Sequence, residues 1–386
     1  MKSLDLFANS KLAELDAQHL RRVLAETARE DGIWVSRGGR RLLSFSCNDY
    51  LNLTHHPAVK EAAIAAIRRH GTGAGASRHI TGNHPLYDEL EGRLAHLKET
   101  EAACIFGSGY LANAGIIPAL IGEGDLLLID ELSHACLWAG AQLSRGRVLT
   151  FRHNDVLHVA ELLEANRGVH QHALIVTDGV FSMDGDLAPL RELAALVQAH
   201  DAWLMSDDAH GLGVIGGGRG SVFADGKKAA VDLQMGTLSK ALGSYGGYLC
   251  ASKPVIDLIK TRARTLIYST GLPPASVAAA IAALDVIAAD PELVARPLAK
   301  AQAFTRATNL PLAQSPVIAI VLGDAVAALE ASQILESEGF LAVAIRPPTV
   351  PAGTARLRLA FTANHPDEEI ARLARLVRER ILPMAA

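Results

Sequence analysis

Apolar positions recur at helical spacing across residues 12–29, which predicts an amphipathic arm helix. Two short apolar runs, 33–35 and 42–45, flank Gly38-Gly39 and predict a hairpin. Pro57 and Gly71 bracket a helix over 57–70, proline where an N–H is spare and glycine where the chain must turn. From about Ala102 the pattern alternates. Runs at 125–129, 147–151, 173–177, 202–206, 231–235 and 248–251 read as strands, with helical stretches between them. Apolar strands separated by helices predict an α/β fold with a mostly parallel central sheet covered by helices. After about Asp290 the pattern changes. Strands at 316–322, 341–345 and 355–361 with helices at 326–338 and 368–381 predict a smaller α+β domain. The expected division is an arm helix and hairpin over 1–45, a large domain over 46–288 and a small C-terminal domain over 289–386.

Composition narrows the function. Of 386 residues 49% are apolar and 20% charged, so the chain has ample surface to bury and disorder is excluded as its general state. With 37 Lys+Arg against 41 Asp+Glu the net charge is −4, which leaves no basic excess for a nucleic acid partner. Aromatics at 5% are too few for base-stacking platforms. Cys47, Cys104, Cys136 and Cys250 are far apart and form no CxxC pair, so reduced thiols in a cytoplasmic protein are expected. The N-terminus has no signal-peptide core. The most apolar stretch, 275–289, is alanine-rich and interrupted by Asp285, too weak to span a membrane.

In a doubly covered sheet the site sits beyond the carboxyl ends of the strands. Three such ends carry polar residues: Asp207-Asp208-Ala209-His210-Gly211, Thr237-Leu238-Ser239-Lys240, and Ser133-His134. A lysine at a buried strand end loses hydration, its pKa falls, and its neutral amine becomes a nucleophile or base; the alternative for Lys240 is a surface lysine at a strand end. Asp207 and His210, three apart, suit a metal, a hydrogen-bonded pair or no function at all, and no further ligand run supports a metal. Asp208 reads as a solvated loop acid, and His134 on its own as a core histidine. The glycine runs at 71–75 and 216–220 fit neither nucleotide-binding fingerprint. Gly107-Ser108-Gly109-Tyr110 differs, because it leads into a helical run over 111–120 whose first N–H groups suit a phosphate. A lysine, a strand-end acid, a histidine and a phosphate cradle together are the protein's half of a pyridoxal phosphate site.

The motifs at 47–51, 71–82, 132–135, 180–186, 207–211 and 237–240 resemble the α-oxoamine synthases, fold-type I pyridoxal 5′-phosphate enzymes, over nearly the whole chain. The resemblance implies that Lys240 carries the cofactor as a Schiff base and that Asp207 pairs with its ring nitrogen. It assigns Ser182 and His210 to the ring oxygen, His134 to the ring face, and Gly109, Tyr110 and Thr237 to the phosphate. Asn48 and Arg358 are the implied holders of the amino acid carboxylate, with Arg356 on the same strand face as a competitor. Arg21, Arg346 and Thr349 match positions near the acyl substrate, with Arg22 adjacent to the first. Ser269 and Thr270 match a segment that reaches the neighbouring subunit's phosphate, so a homodimer with interface active sites is implied. The segment 344–359 implies L-alanine and a pimeloyl thioester, on coenzyme A or acyl carrier protein, as substrates in biotin synthesis. A glycine C-acetyltransferase and an aminotransferase are the neighbouring activities on the same residues. A non-catalytic partner subunit is disfavoured by the presence of Lys240, Asp207, His210 and His134. Two positions depart from the family pattern: Asn52, where glycine is usual, and Asp178, where glutamate is common.

Overall fold

The computed structural model describes residues 2–18 and 20–385. A seven-stranded sheet lies at its centre, in the order Ala102–Phe106, Gly247–Ala251, Leu233–Thr237, Trp203–Asp207, Ala173–Asp178, Leu126–Asp130, Arg147–Phe151. Neighbours are parallel except Gly247–Ala251, which runs antiparallel to the strands on both sides of it. Leu126–Asp130, Ala173–Asp178 and Leu233–Thr237 are buried throughout, because helices cover both faces. Alternate residues of one strand enter opposite cores. Leu127 and Ile129 pack with Ile117, Leu137 and Ile256, whereas Leu126 and Leu128 pack with Val159, Leu163 and Leu193. The expected strands are present with ends moved by one or two residues. Ala102–Phe106 is an additional edge strand; its alanine-rich start hid it in the pattern.

Register places the chemistry. Asp178 and Asp207 are paired residues at the ends of neighbouring parallel strands, and Thr237 closes the next strand. Gly247 lies opposite Thr237, and a Cβ there would stand 2.5 Å from the Ser108 carbonyl oxygen and 2.8 Å from the Gly109 nitrogen. Only glycine lets the turn into the helix Gly109–Leu120 rest on that strand.

The C-terminal part has a three-stranded antiparallel sheet, Val317–Gly323, Ala355–Ala360, Val343–Ile345, and helices Pro291–Thr308, Ala325–Ser337 and Asp367–Leu376. The N-terminal hairpin, Trp34–Arg37 with Arg40–Ser44, turns on Gly38 and Gly39 at φ 57° and 75°. Its Ile33, Leu43 and Phe45 share a core with Ile318, Leu357 and Phe361, and Phe45 stacks on His365 at 4.0 Å between ring centres.

Three expectations need correction. The arm helix is Ser3–Ala17, not 12–29. Beyond it the chain is extended, because Arg22 is drawn to Thr349 and Ala28–Arg29 pairs as an edge strand with Ser36 and Val35; His19 lies outside the described residues. The run 341–345 is two short strands in different sheets, Phe340–Leu341 beside Leu43-Ser44 and Val343–Ile345 beside 356–358. Asp208 is not solvated. It forms an ion pair with Lys98 at 2.7 Å, both side chains fully buried; Lys98 also donates to the Arg219 carbonyl at 2.7 Å, and Asp208 accepts from the Ser221 N–H at 2.9 Å. The Asn52 departure is a left-handed turn, φ 57°, a conformation asparagine tolerates better than most residues. Its side-chain oxygen accepts from the Asn364 N–H at 3.0 Å and so ties the turn to the C-terminal part.

His153 joins two loops by bonding Asp130 through Nδ1 at 3.1 Å and Asp186 through Nε2 at 2.8 Å. Desolvation opposes its charge, but the hydrogen bonds and charges of the two carboxylates outweigh that and push its pKa up to about 10. An unfolded imidazole titrates near 6.5. The stabilisation is therefore complete below pH 6.5 and disappears as pH rises to about 10. Denaturant melts of wild type and His153→Gln should differ most at pH 6 and converge towards pH 10. Lys98→Met leaves a buried unpaired carboxylate and should cost about 3–5 kcal/mol of stability, read as a lower denaturation midpoint.

Candidate active site

Lys240 follows the strand Leu233–Thr237 and points among charged groups. Desolvation lowers its pKa; Asp207 pulls the other way, and Arg358 adds to the lowering. Among the described residues no hydrogen bond engages its amine, so the nitrogen is available for chemistry.

Asp207 ends the strand Trp203–Asp207 and is buried. Its Oδ2 accepts from Asn113 Nδ2 at 2.7 Å, and its Oδ1 accepts from the Ala209 N–H at 3.0 Å. Asp178, beside it in the sheet, accepts from the His134 N–H at 2.9 Å. Burial, and then the nearby Asp207 charge, raise the Asp178 pKa well above the ordinary carboxylate value. Asp178 is therefore harder to ionise than an ordinary carboxyl group.

His134 caps the helix Ala135–Leu143, with its Nδ1 accepting from the Cys136 N–H at 3.2 Å. Its ring opens into a cavity of about 500 Å³ that Ser182, Met183, Thr349 and Arg22 also line. Desolvation lowers its pKa, with Asp207 opposing and Lys240 adding. His210 is buried, and desolvation with the Lys240 and Arg358 charges pushes its pKa well below 6.5. Its Nδ1 lies 2.6 Å from the Tyr50 hydroxyl. Burial raises the Tyr50 pKa, so the hydroxyl keeps its proton. Asp207 and His210 therefore hold separate partners rather than each other.

Arg358 donates from Nε to the Ser182 carbonyl at 2.5 Å and from Nη2 to the Tyr50 hydroxyl at 3.4 Å; the same hydroxyl is 3.4 Å from Asn48 Oδ1. Tyr50 thus links Asn48, His210 and Arg358. Arg356 is committed elsewhere, to the Asp184 carboxylate and the Thr354 carbonyl. At the helix start, Ser108 accepts from the Leu111 N–H at 3.2 Å, and the N–H groups of Gly109 and Tyr110 begin a twelve-residue helix with no partner of their own in the preceding turn. Gly109 sits against Thr237, whose Cβ is 3.5 Å from where a Gly109 Cβ would be.

Other expected residues lie apart. Arg21 is ion-paired with Asp16 on the arm helix at 2.8 Å, and the adjacent Arg22 takes the place at the cavity, bonding Thr349 Oγ1 at 2.6 Å. Arg346 lines a second cavity of about 590 Å³ that shares Arg22 and Thr349 with the first. Thr270 pairs with Ser77 as an isolated bridge and is exposed; among the described residues no hydrogen bond joins it or Ser269 to Lys240. A further cavity of about 560 Å³, beside Trp203, Leu233 and Ala251, is at the opposite ends of the strands and away from all of this. Sequence reasoning missed Asn113, Tyr50 and Cys136. Asn113 had a signal: it is the polar residue in an otherwise apolar helical run, one turn after Gly109.

The residue set fits pyridoxal phosphate. It supplies an amine without a bond of its own, a buried acid, a helix start packed on a glycine strand, and a cluster of neutral imidazoles. The class I and II aminotransferase family model matches residues 40–377. An 8-amino-7-oxononanoate synthase from Beijerinckia indica is 64% identical over 98% of each chain, and one from Methylocella silvestris is 68% identical over 89% of this chain and 98% of its own. Among solved structures, a serine palmitoyltransferase from S. paucimobilis with bound PLP–myriocin aldimine superposes with TM-score 0.91 at 28% identity, covering 98% of each chain. The 8-amino-7-oxononanoate synthase of Francisella tularensis superposes with TM-score 0.75 at 25% identity, covering 88% of this chain and 98% of its own. With a strand-end lysine facing a buried acid, and relatives alike over almost their full length, the chain belongs to the class I and II aminotransferase family and, within it, to the 8-amino-7-oxononanoate synthases.

Proposed function

We propose that this chain is a pyridoxal 5′-phosphate-dependent acyltransferase that condenses L-alanine with a pimeloyl thioester, giving 8-amino-7-oxononanoate, carbon dioxide and the free thiol, as a cytoplasmic step of biotin synthesis. The observation that carries this reading is the placement of half-buried Lys240 and buried Asp207 just beyond and at the ends of adjacent strands, beside a helix start that suits a phosphate.

Lys240 would hold the cofactor's aldehyde carbon and Asp207 its ring nitrogen. Ser182 and His210 would hold its ring oxygen, His134 its ring face, and Gly109, Tyr110 and Thr237 its phosphate. When bound, the cofactor supplies an electron sink for the α-carbon of the amino acid. The chain does the rest. Burial keeps the Lys240 Nζ pKa low, so a neutral amine is on hand to take the α-proton of alanine and return it to the product. Asp207 provides the fixed negative charge that the sink requires. Arg358, with Asn48 beside it through Tyr50, orients the alanine carboxylate until it leaves as carbon dioxide. The acyl chain occupies the cavities joined at Arg22 and Thr349, with Arg346 further out. The thiol carrier, coenzyme A or acyl carrier protein, stays on the solvent side.

The working unit of this reading is a homodimer in which Ser269 and Thr270 complete the partner's phosphate site. Its support is the match of this segment to the family pattern, together with the exposure of Thr270 on its own chain.

Incubation of the purified protein with pyridoxal phosphate, L-alanine and pimeloyl-CoA should yield 8-amino-7-oxononanoate by mass. Production of 2-amino-3-ketobutyrate from glycine and acetyl-CoA at a higher rate would overturn the substrate assignment. Lys240→Ala should reduce turnover to background. Arg358→Ala should raise the KM for alanine by about 10–100-fold with a much smaller change for the acyl substrate; Arg356→Ala, a residue spent on Asp184, should not reproduce that selectivity.

A further inference from the structure

Four side chains, Asp207, Asn113, Cys136 and His134, form a chain of hydrogen bonds whose direction is fixed. Asn113 is completely buried. Its Nδ2 lies 2.7 Å from Asp207 Oδ2 and 3.0 Å from Cys136 Sγ. A carboxylate oxygen can only accept, so the amide must present its NH2 group to both neighbours. Cys136 is buried beside Asp207, and that burial raises its thiol pKa far above the free value, so the sulfur keeps its proton. The sulfur already accepts from Asn113. Its own proton then has two possible acceptors, His134 Nδ1 at 2.8 Å and Asp207 Oδ2 at 3.8 Å. The first is nearer, and the second is occupied by the Asn113 amide. The Cys136 N–H adds another donor to the same His134 nitrogen at 3.2 Å.

Two donors converging on Nδ1 exclude a proton there. Desolvation keeps the ring neutral, so its single proton resides on Nε2, which among the described residues has no hydrogen-bond partner. The ring itself opens into the cavity with Ser182 and Thr349. An Nε2–H in that place is a donor for a substrate oxygen, whether carboxylate or thioester carbonyl. The opposite tautomer would set a lone pair against that oxygen and repel it.

We propose that Asn113 and Cys136 are positioning residues that lock His134 as its Nε2–H tautomer, so that the ring donates to a substrate oxygen while Asn113 holds Asp207 in the same arrangement. This rests on the roles given above to His134 and Asp207. Serine keeps a donor on the β-atom, so Cys136→Ser preserves the lock, whereas Cys136→Ala removes the donor and leaves only the longer backbone bond.

The test is 15N NMR of histidine-labelled protein without cofactor, with His134→Gln identifying the His134 signals. Wild type and Cys136→Ser should show a pyrrole-type Nε2 and a pyridine-type Nδ1. Cys136→Ala should show a mixture of tautomers and about a tenfold loss in kcat/KM of the loaded enzyme that Cys136→Ser does not share. A wild-type His134 protonated on Nδ1, or a Cys136→Ala protein with unaltered tautomer and kinetics, would overturn the proposal. If Cys136→Ala is itself unstable, Cys136→Val, which also lacks a side-chain donor and fills more of the space, gives the same reading. Because the tautomer is read without cofactor, a wrong cofactor assignment would leave the NMR result standing, and a wrong tautomer would leave the Lys240 linkage standing.

Discussion

A single negative charge buried at the end of a parallel strand is the constraint on which the rest of the molecule depends. Asp207 sits where water cannot solvate it, so each of its oxygens needs a donor from the protein. Asn113 and the Ala209 N–H provide them. Burial, and then that same charge, push the pKa of its neighbour Asp178 well above the ordinary carboxylate value. Two ionised carboxylates side by side in this sheet would repel strongly; a neutral one can bind the His134 N–H and shape the loop above. Lys240 faces the resulting field with its amine stripped of water, and the opposing influences of desolvation and Asp207 leave it below the usual lysine value. Desolvation, helped by Arg358 and opposed by Asp207, is what lowers the pKa of this lysine.

The site can be this polar because the scaffold under it is rigid. Strands buried on both faces fix the register that aligns Asp178 with Asp207. The Lys98–Asp208 pair, fully buried one residue beyond Asp207, ties the strand end to the helix Leu86–Leu97 and to the 219–221 turn. Such a pair contributes little net stability over an apolar replacement, but it forbids other arrangements of the loop once formed. The N-terminal hairpin does comparable work at the other wall. It packs into the C-terminal core and delivers Asn48 and Tyr50 to Arg358.

Much of this was legible in the residues. Buried strands announce themselves as uninterrupted apolar runs, and the polar residues just after them mark the site, which is how Lys240, Asp207 and His134 stand out. Position along the chain says less about partners. Asp208 looks like any loop acid until Lys98, 110 residues away, is found against it. Arg21 and Arg22 are indistinguishable as letters; the backbone turn after Ala17 decides that one faces Asp16 and the other Thr349. Arg356 and Arg358 share a strand face, and only the 182–184 loop, which occupies the first through Asp184, separates their roles. In each case the missing information is a contact between distant segments, which local periodicity does not encode.

The most direct test of this account is borohydride reduction of the protein loaded with pyridoxal phosphate, followed by digestion and peptide mass analysis. The account predicts the reduced cofactor on the peptide that contains Lys240 and on no other. An unmodified Lys240 peptide, or attachment at a different lysine, would contradict it.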